Sequence, residues 1–282
     1  MKTAYTRLAS AFITAALLTG CGKGFNIKVD MSDYKEKLTG NITVDLGKNN
    51  DISAVGADID TGGITFIPSD NDIVSVDIDY NIFADDISLC QEIADHISAS
   101  GEEKNGRFDI NVIEKDSGSE FGKWIKDKGY KCRVEINTEI SAPSCFESFD
   151  AKVKVGNITF RQLSGCFSGY AEVGNITCSG DTFTAPSEIE CYTGNITMTD
   201  CSYCSDTSIK ADTGNIAFGL PKNGSKDGSV GITVNTGNID FKNCSEYTSK
   251  KGDPAKGSIK LMTEGCNVSA SVKSGNISID KE

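Results

Sequence analysis

The chain has 282 residues, of which 38% are hydrophobic and 24% charged, so it can build a packed core and is not wholly disordered. Its net charge of −12 argues against a nucleic-acid-binding protein, because neutralising phosphates requires clustered Lys and Arg. The 29 glycines against five prolines predict many turns between short strands rather than a proline-rich linker.

The first residues have the pattern of an export signal. Lys2 and Arg7 precede an apolar run, Leu8–Leu18, which is shorter than the roughly 20 residues that a membrane-spanning helix needs. The run ends in Leu18-Thr19-Gly20-Cys21, which resembles the lipobox of bacterial lipoproteins. The resemblance implies that residues 1–20 are a lipoprotein signal peptide and that Cys21 carries the lipid. The alternative is an ordinary secretory signal with an incidental cysteine.

A lipid at Cys21 would determine where the protein resides. Diacylglycerol on the thiol, often with an acyl chain such as palmitate on the new amino group, anchors stably because each buried CH₂ contributes about 0.8 kcal/mol. No later segment is apolar enough to cross a membrane. We therefore expect a lipid-anchored protein of the cell envelope that faces outside the cytoplasm, with residues 21–39 as a polar spacer.

Residues 40–150 are predicted to form a β-rich part with one short helix. Apolar residues recur at helical spacing near 85–98 (Ile87, Cys90, Ile93, Ala94 and Ile97), and Asp85 or Asp86 can cap the start. Residues 115–131 are predicted to form a polar loop around Trp124, the only tryptophan. Its aromatic side chains either bind a sugar or a partner, or pack back onto the domain.

A Gly-Asn-Ile unit recurs through the rest of the chain. Its copies are Gly156-Asn157-Ile158, Gly174-Asn175-Ile176, Gly194-Asn195-Ile196, Gly214-Asn215-Ile216, Gly237-Asn238-Ile239 and Gly275-Asn276-Ile277. Gly257-Ser258-Ile259 fills the gap before the last copy, and looser copies start at Gly40 and Gly62. With Gly257 included, successive glycines from Gly156 are 18–23 residues apart, a spacing typical of one supersecondary unit stacked on its neighbours.

The pattern around each glycine predicts the fold. Apolar residues alternate before the glycine and again after it, from the isoleucine onward, as on a strand with one buried face. The last apolar position before the glycine and the isoleucine after it are five residues apart, an odd number that would put them on opposite faces of a straight strand. Gly-Asn must therefore form a corner or bulge that resets the register. The asparagines either serve only this turn, the interpretation we favour, or form an amide ladder as well. We predict an all-β fold, a parallel β-solenoid (β-helix) with coils of about 18–23 residues over 151–282, continuous with 40–150.

These units resemble the bacterial "putative adhesin" family of β-strand repeat proteins. The resemblance rests on units such as Thr193-Gly194-Asn195-Ile196 and on an entry segment, residues 134–143, that ends in a proline. It covers roughly residues 40–282. It implies a right-handed parallel coil and surface exposure, and it brings no catalytic residues.

The cysteines allow two interpretations. Ten remain after Cys21, an even number that permits disulfides in an exported chain. Six of them lie within the repeats, mostly where neighbouring copies have apolar residues, which favours small buried hydrophobic side chains. Cys201-Ser-Tyr-Cys204 has the spacing of half a metal site, but His96 is the only histidine. We predict no metal and no cofactor.

Two functions fit this sequence. The favoured one is an adhesin-like binding or structural module without catalysis, whose partners are the membrane, through Cys21, and a cell-surface glycan or protein ligand. The alternative is a glycan-processing β-helix enzyme, either a lyase or a hydrolase. The outward rows mix charges of both signs, and Asp58-Ile-Asp60-Thr-Gly62 lacks the spacing of calcium loops. We expect a monomer that binds no nucleic acid, although residues 274–282 end in what is predicted to be an open coil.

Overall fold

The computed structural model describes residues 34–47, 52–220, 228–242, 247–250, 255–261 and 266–281. Within them the chain is mostly β, with two short helices and one large mixed sheet. The predicted signal peptide, the lipid site at Cys21 and most of the spacer lie outside the described residues. The all-β prediction is therefore confirmed for the part of the chain that the structure describes.

The first part of the chain contains six strands and both helices. In chain order these are β1 Glu36–Gly47, β2 Ala54–Ser69, β3 Val74–Ala84, α1 Ile87–Asp95, β4 Ile97–Lys104, β5 Arg107–Glu114, α2 Phe121–Lys128 and β6 Cys132–Pro143. More buried and less buried residues alternate along β1 and β3, half-buried with exposed in β1 and mostly buried with half-buried in β3, as expected where one face covers a core.

The second part consists of shorter strands that follow the repeat. They are β7 Ser148–Arg161, β8 Ser164–Ser179, β9 Thr182–Phe183, β10 Ser187–Thr193, β11 Ile196–Thr199, β12 Ser202–Tyr203, β13 Thr207–Thr213, β14 Ile216–Leu220, β15 Gly228–Thr236, β16 Ile239–Lys242, β17 Tyr247–Lys250, β18 Ala255–Leu261, β19 Asn267–Ser274 and β20 Ile277–Lys281. In each unit one strand precedes the Gly-Asn pair and another follows it, either as separate strands or as two halves of one.

The isoleucines of successive units are stacked in parallel register. Ile158 is paired with Ile176, Ile176 with Ile196, and Ile196 with Ile216. Ile64 of β2 extends the column at one end, which makes the copy at Gly62 the first full unit. All five of these side chains are fully buried, so they form the spine of the core.

An aromatic column lies beside this spine. Neighbouring ring centroids in the column are 4.6–5.9 Å apart. Its members come from both halves of the units and from the short strands β9 and β12: Phe66, Phe149, Phe160, Phe167, Phe183, Tyr203 and Phe218. Aromatic contacts at these distances stabilise the fold beyond the burial of apolar area. They also make the core continuous from one unit to the next.

The order of stacking departs from the order of the chain. Strands β19 and β20, the last in sequence, lie between the units of β13–β14 and β15–β16, and Ile277 is paired with both Ile216 and Ile239. The prediction that residues 274–282 end in an open coil is therefore wrong, since β20 has a neighbour on each side. The repeat pattern does not determine this order, because every unit has the same arrangement of apolar residues around its glycine.

Two of the proposed copies are not stacked units. The segment around Gly257 lies in β18, which pairs antiparallel with β15 and β17, and serine replaces the asparagine of the other copies. The segment around Gly40 lies in β1, which pairs antiparallel with β3. Gly40 does not have the positive φ of the corner glycines, so β1 continues straight through it.

The two helices differ in how well the sequence predicted them. Helix α1 confirms the predicted helix near 85–98, with Asp86 as its N-cap; it ends earlier because Ile97 enters β4. Helix α2 occupies part of the segment predicted to be a loop. Trp124 is buried there, with ring centroids 5.7 Å from Phe121 and 5.5 Å from Tyr130. These aromatic side chains therefore pack back onto the domain.

The isoleucine column gives a direct test of the core. Replacing Ile196 by alanine leaves a cavity between two units that cannot close independently, and we expect a loss of about 2–5 kcal/mol in the free energy of unfolding. Urea denaturation followed by circular dichroism measures this loss. Thr197→Ala, on the outward side of the same strand, is the matched control, and we expect it to change the value by less than about 0.5 kcal/mol. Equal effects of the two substitutions would contradict the stacking.

Candidate binding groove and tyrosine face

The corner between the two halves of each unit is built from the glycine and asparagine of the repeat. The glycines have φ between 142° and 154°, and a Cβ atom on Gly174 or Gly194 would overlap the carbonyl oxygen of the glycine in the preceding unit. Only glycine fits this close approach. The corner therefore determines where the side chains on the outward faces of the strands lie.

The asparagines of the corner form a ladder. Asn175 Nδ2 donates to Asn157 Oδ1 at 3.0 Å, and Asn195 donates in the same way to Asn175 at 3.1 Å. The same bond joins Asn215 to Asn195 and Asn276 to Asn215, each at 3.1 Å. Each acceptor oxygen also receives the backbone N–H of the next asparagine. The interpretation that we favoured, in which the asparagines serve only the turn, is therefore wrong.

The charged rows on the outward faces form ion pairs between neighbouring strands. Lys154 pairs with Asp60, Lys210 with Glu188, and Lys273 with Asp212, the last at 2.6 Å. Each pair joins two strands that lie side by side in the stack. Exposed pairs of this kind contribute little to stability, and they neutralise carboxylates that could otherwise act together.

His96, Glu114 and Asp116 form the one cluster in the described part of the chain whose side chains could jointly hold a metal ion. Glu114 is buried, and its oxygens accept bonds from Ser117 Oγ at 2.5 Å, Ser117 N at 2.7 Å and Asp116 N at 3.0 Å. His96 Nδ1 lies 2.6 Å from Glu114 Oε1. The bond from Ser117, followed by that from Asp116 N, lowers the pKa of Glu114 to about 2. These donors engage both oxygens, so we assign the cluster to holding the turn before α2.

A groove of about 800 Å³ opens where β5 and β6 diverge. Strand β2 pairs in parallel with β5 over residues 54–57 and with β6 over residues 62–69. Between these two registers lie residues 58–61, which form the floor. Helix α2 lies against β5 and closes the third side of the groove. Glu120, the residue before α2, forms a β-bridge with Ile113 of β5. The groove is therefore a direct result of how β2 changes partners.

The groove combines apolar walls with charged residues. Its apolar lining comes from β2, β5, α2 and β6 and includes Ile59, Val112, Ile113, Phe121, Val134 and Ile136. Its charged residues are Asp58, Asp60, Glu102, Glu120, Lys152 and Lys154. A hydrogen bond with Asp60 raises the pKa of Lys154, with smaller contributions from Asp58 and Glu120. Because Lys154 is already paired, carboxylates dominate the charge of the groove.

A second surface, which we call the tyrosine face, lies on the outward side of β8 and β10. It consists of Tyr170, Glu172, Val173, Glu190 and Tyr192, with Tyr170 directly beside Glu190 in the sheet. Tyr192 is 55% exposed and Val173 39%. Burial raises the pKa of the Tyr170 hydroxyl, followed in effect by Glu172 and Glu190. The face therefore presents tyrosine rings next to carboxylates on a rigid sheet.

Exposed apolar residues are concentrated at this face. Among the described residues six large hydrophobic side chains are exposed, and three of them, Val155, Val173 and Tyr192, come from adjacent strands. Val155 and Val173 are directly opposite each other in the sheet, and Tyr192 precedes Thr193, the partner of Val173 in β10. A clustered exposed patch marks an interaction surface more often than scattered single residues do.

Sequence reasoning missed both surfaces. The groove has no motif, because it arises from strands that are far apart in the chain. The repeat pattern puts both tyrosines at outward positions but assigns them no role. The available signal was that two adjacent units both put a tyrosine outward, at Tyr170 and Tyr192.

Buried titratable groups lie inside the stack, beside β9 and β12. Asp181 accepts the backbone N–H groups of Leu163 and Ser179, each at 2.9 Å, and burial raises its pKa to about 6. Burial also raises the pKa of the Cys178 and Cys201 thiols. Cys201 Sγ donates to the carbonyl oxygen of Thr199 at 3.4 Å. These protonated thiols behave as small apolar side chains, as the pattern of the repeats predicted.

Comparison with known proteins finds structural similarity only. No family model matches the chain, and no curated protein matches it. A "putative cell adhesion protein" from Clostridium sporogenes is 10% identical, with a TM-score of 0.44, over 88% of this chain and 100% of the other. A "putative adhesin" from Bacteroides fragilis is 12% identical, with a TM-score of 0.39, over 88% and 98% of the two chains. A "putative lipid binding protein" from Parabacteroides distasonis is 14% identical, with a TM-score of 0.27, over 86% and 96%. Similarities at this level carry no functional conclusion.

Neither helix of the described residues is long and apolar enough to cross a bilayer.

The buried carboxyl of Asp181 predicts a pH dependence of stability. Its pKa is about 6 in the folded protein against an ordinary value of 3.8, so the folded state binds the proton more tightly. The stabilisation that Asp181 gives the folded state is therefore fully present below pH 3.8, the ordinary pKa, and is lost as the pH rises through the folded-state pKa of about 6. The loss amounts to about 3 kcal/mol at 1.36 kcal/mol per pKa unit.

Urea titrations between pH 4 and pH 7.5 measure this dependence. We expect Asp181→Asn to remove most of the fall in unfolding free energy over that range, while Asp200→Asn, an exposed neighbour at the same corner, leaves it in place. Glu114, whose pKa is lowered, acts in the opposite direction and mostly below this range, since its contribution to stability is lost as the pH falls from 4.5 to about 2. A pH slope that is the same in both variants would contradict the assignment.

Proposed function

We propose that this protein is a lipid-anchored β-solenoid of the cell envelope that binds a surface partner and carries out no catalysis. The observation that carries the proposal is the tyrosine face, in which aromatic, aliphatic and carboxylate side chains lie side by side on paired strands. Tyrosine gives large contact area at low conformational cost, and it is enriched where binding energy is concentrated. A binding module needs such a face, whereas a purely structural protein does not.

Several features support the solenoid and the anchor. Parallel units of about 20 residues stack in register, with a glycine corner between their two halves. A third set of short pairings, Ser164 with Thr182 and Thr182 with Ser202, completes each turn of the chain in this region. The lipobox-like segment ending at Cys21 supports attachment to a membrane outside the cytoplasm. We propose that the protein acts as a monomer, since β18 pairs antiparallel with β15 and covers its other edge in the end unit of the stack.

The glycan-processing alternative has less support. Such an enzyme needs acidic or basic groups that converge in one groove, where their proximity shifts the pKa values. Four carboxylates, Asp58, Asp60, Glu102 and Glu120, do line one groove, so this alternative is the second candidate. However, Asp60 is paired there with Lys154, as Glu188 is with Lys210 and Asp212 with Lys273. His96 is bonded to Glu114 within a turn. These contacts favour binding over catalysis.

The tyrosine face can be tested with arrays of cell-surface glycans and proteins. The mature chain, solubilised in detergent, should bind a subset of them, and Tyr170→Ala and Tyr192→Ala should each weaken that binding by about tenfold or more. Tyr34→Ala, an exposed tyrosine elsewhere on the chain, is the control and should leave it unchanged. Unchanged binding in both face variants would contradict the proposal, and cleavage of a bound glycan would favour the enzyme.

A further inference from the structure

We propose that the groove between β5 and β6 binds an extended peptide segment of a protein partner, with alternating basic and apolar residues, which adds to the open edge of β2. This inference rests on the proposed function, because it names one class of partner for the binding module. It concerns a different surface from the tyrosine face, so the two can fail separately.

The floor of the groove is a strand edge that no neighbour completes. Residues 58–61 of β2 lie beside β7 on one side, where Asp58 is opposite Lys152 and Ile59 opposite Val153. On the other side the pairing with β5 ends at Ala57 and the pairing with β6 begins at Gly62. Backbone N–H and C=O groups on such an edge are a template for another strand, and extended peptides bind many proteins in this way.

The length of the open edge fits a short segment. At about 3.3 Å per residue, four strand residues extend over roughly 13 Å. Successive side chains of an added strand point to opposite sides, so one set would face the walls formed by β5, β6 and α2. Val112, Ile113 and Val134 on these walls are only half-buried and provide apolar contacts. This favours an apolar side chain at every second position of the partner.

The charge of the groove determines the other positions. Asp58, Glu102 and Glu120 lie along it, while Lys154 is held by Asp60. Because carboxylates exceed lysines here, a partner with Lys or Arg is attracted and an acidic one is repelled. A neutral glycan or a lipid chain would not need the open strand edge and would gain little from these carboxylates. The three features together therefore favour a basic, extended peptide.

The test uses synthetic hexapeptides and the full chain in detergent. The first probe is acetyl-Lys-Val-Lys-Val-Lys-Val-amide, the second replaces lysine by glutamate, and the third is the lysine peptide with alternate backbone nitrogens methylated. We expect the first to bind measurably by fluorescence anisotropy, and the other two at least about tenfold more weakly. Methylation removes strand hydrogen bonds without changing charge, so its effect reports on the open edge.

Substitutions locate the site. We expect Glu120→Lys and Val112→Ala to weaken binding of the lysine peptide, the first at least about tenfold, and Glu120→Gln, a milder change, to weaken it less than Glu120→Lys. Tyr192→Ala should leave peptide binding unchanged, because it lies on the other surface. Circular dichroism at equal concentration establishes that each variant is folded, and Glu120→Gln serves where Glu120→Lys does not fold.

If the peptides bind, three results would still overturn the inference. They are equal binding of the lysine and glutamate peptides, no effect of methylation, and peptide binding that Tyr192→Ala abolishes but Glu120 variants leave intact. Absence of peptide binding together with array binding that depends on Tyr170 would reject the groove and keep the proposed function. Absence of both would reject the groove and the proposed function together.

Discussion

The Gly-Asn corner is the interaction on which this structure depends. At each corner a glycine with positive φ lies so close to the glycine of the preceding unit that no side chain fits between them. The neighbouring asparagine then accepts a backbone and a side-chain N–H from the next unit. Because the corner resets the register, the apolar side chains before it and after it point into the same core. Units joined in this way form flat outward faces whose side chains are held at fixed spacing.

The two surfaces follow from this constraint in different ways. The tyrosine face exists because adjacent units are in register, so that Tyr170 and Tyr192 come close although they are distant in sequence. The groove exists because β2 belongs to the regular stack on one side only. On its other side β5 and β6, which come from the irregular part of the chain, share its edge and leave residues 58–61 between them. The tyrosine face thus arises where units stack in register, and the groove arises where β2 meets strands that do not belong to the stack.

Much of the stack could be predicted from the sequence, because the Gly-Asn-Ile unit and the apolar residues around it recur at a nearly constant spacing. The period, the buried isoleucines, the corner and the helix at Asp86 all follow from local residue patterns. The order of stacking did not, because units with the same pattern are interchangeable and only contacts between distant segments choose among them. Helix α2 was missed since its eight residues include Gly122 and three lysines, and its buried face rests on Phe121 and Trp124 alone. Asp181 was missed because a carboxylate occupies a core position that the pattern reserves for apolar residues. The candidate surfaces depend on this same long-range assembly, which explains why neither had a motif.

The corner can be tested most directly by adding one methyl group. Gly194→Ala places a Cβ atom against the carbonyl oxygen of Gly174 at a φ of 146°, and we expect the free energy of unfolding to fall by more than about 1 kcal/mol in urea denaturation. Gly231→Ala, at a strand position with open space around the added carbon, should leave that free energy unchanged or raise it slightly. Equal values for the two variants would contradict the account, because the corner would then not require glycine.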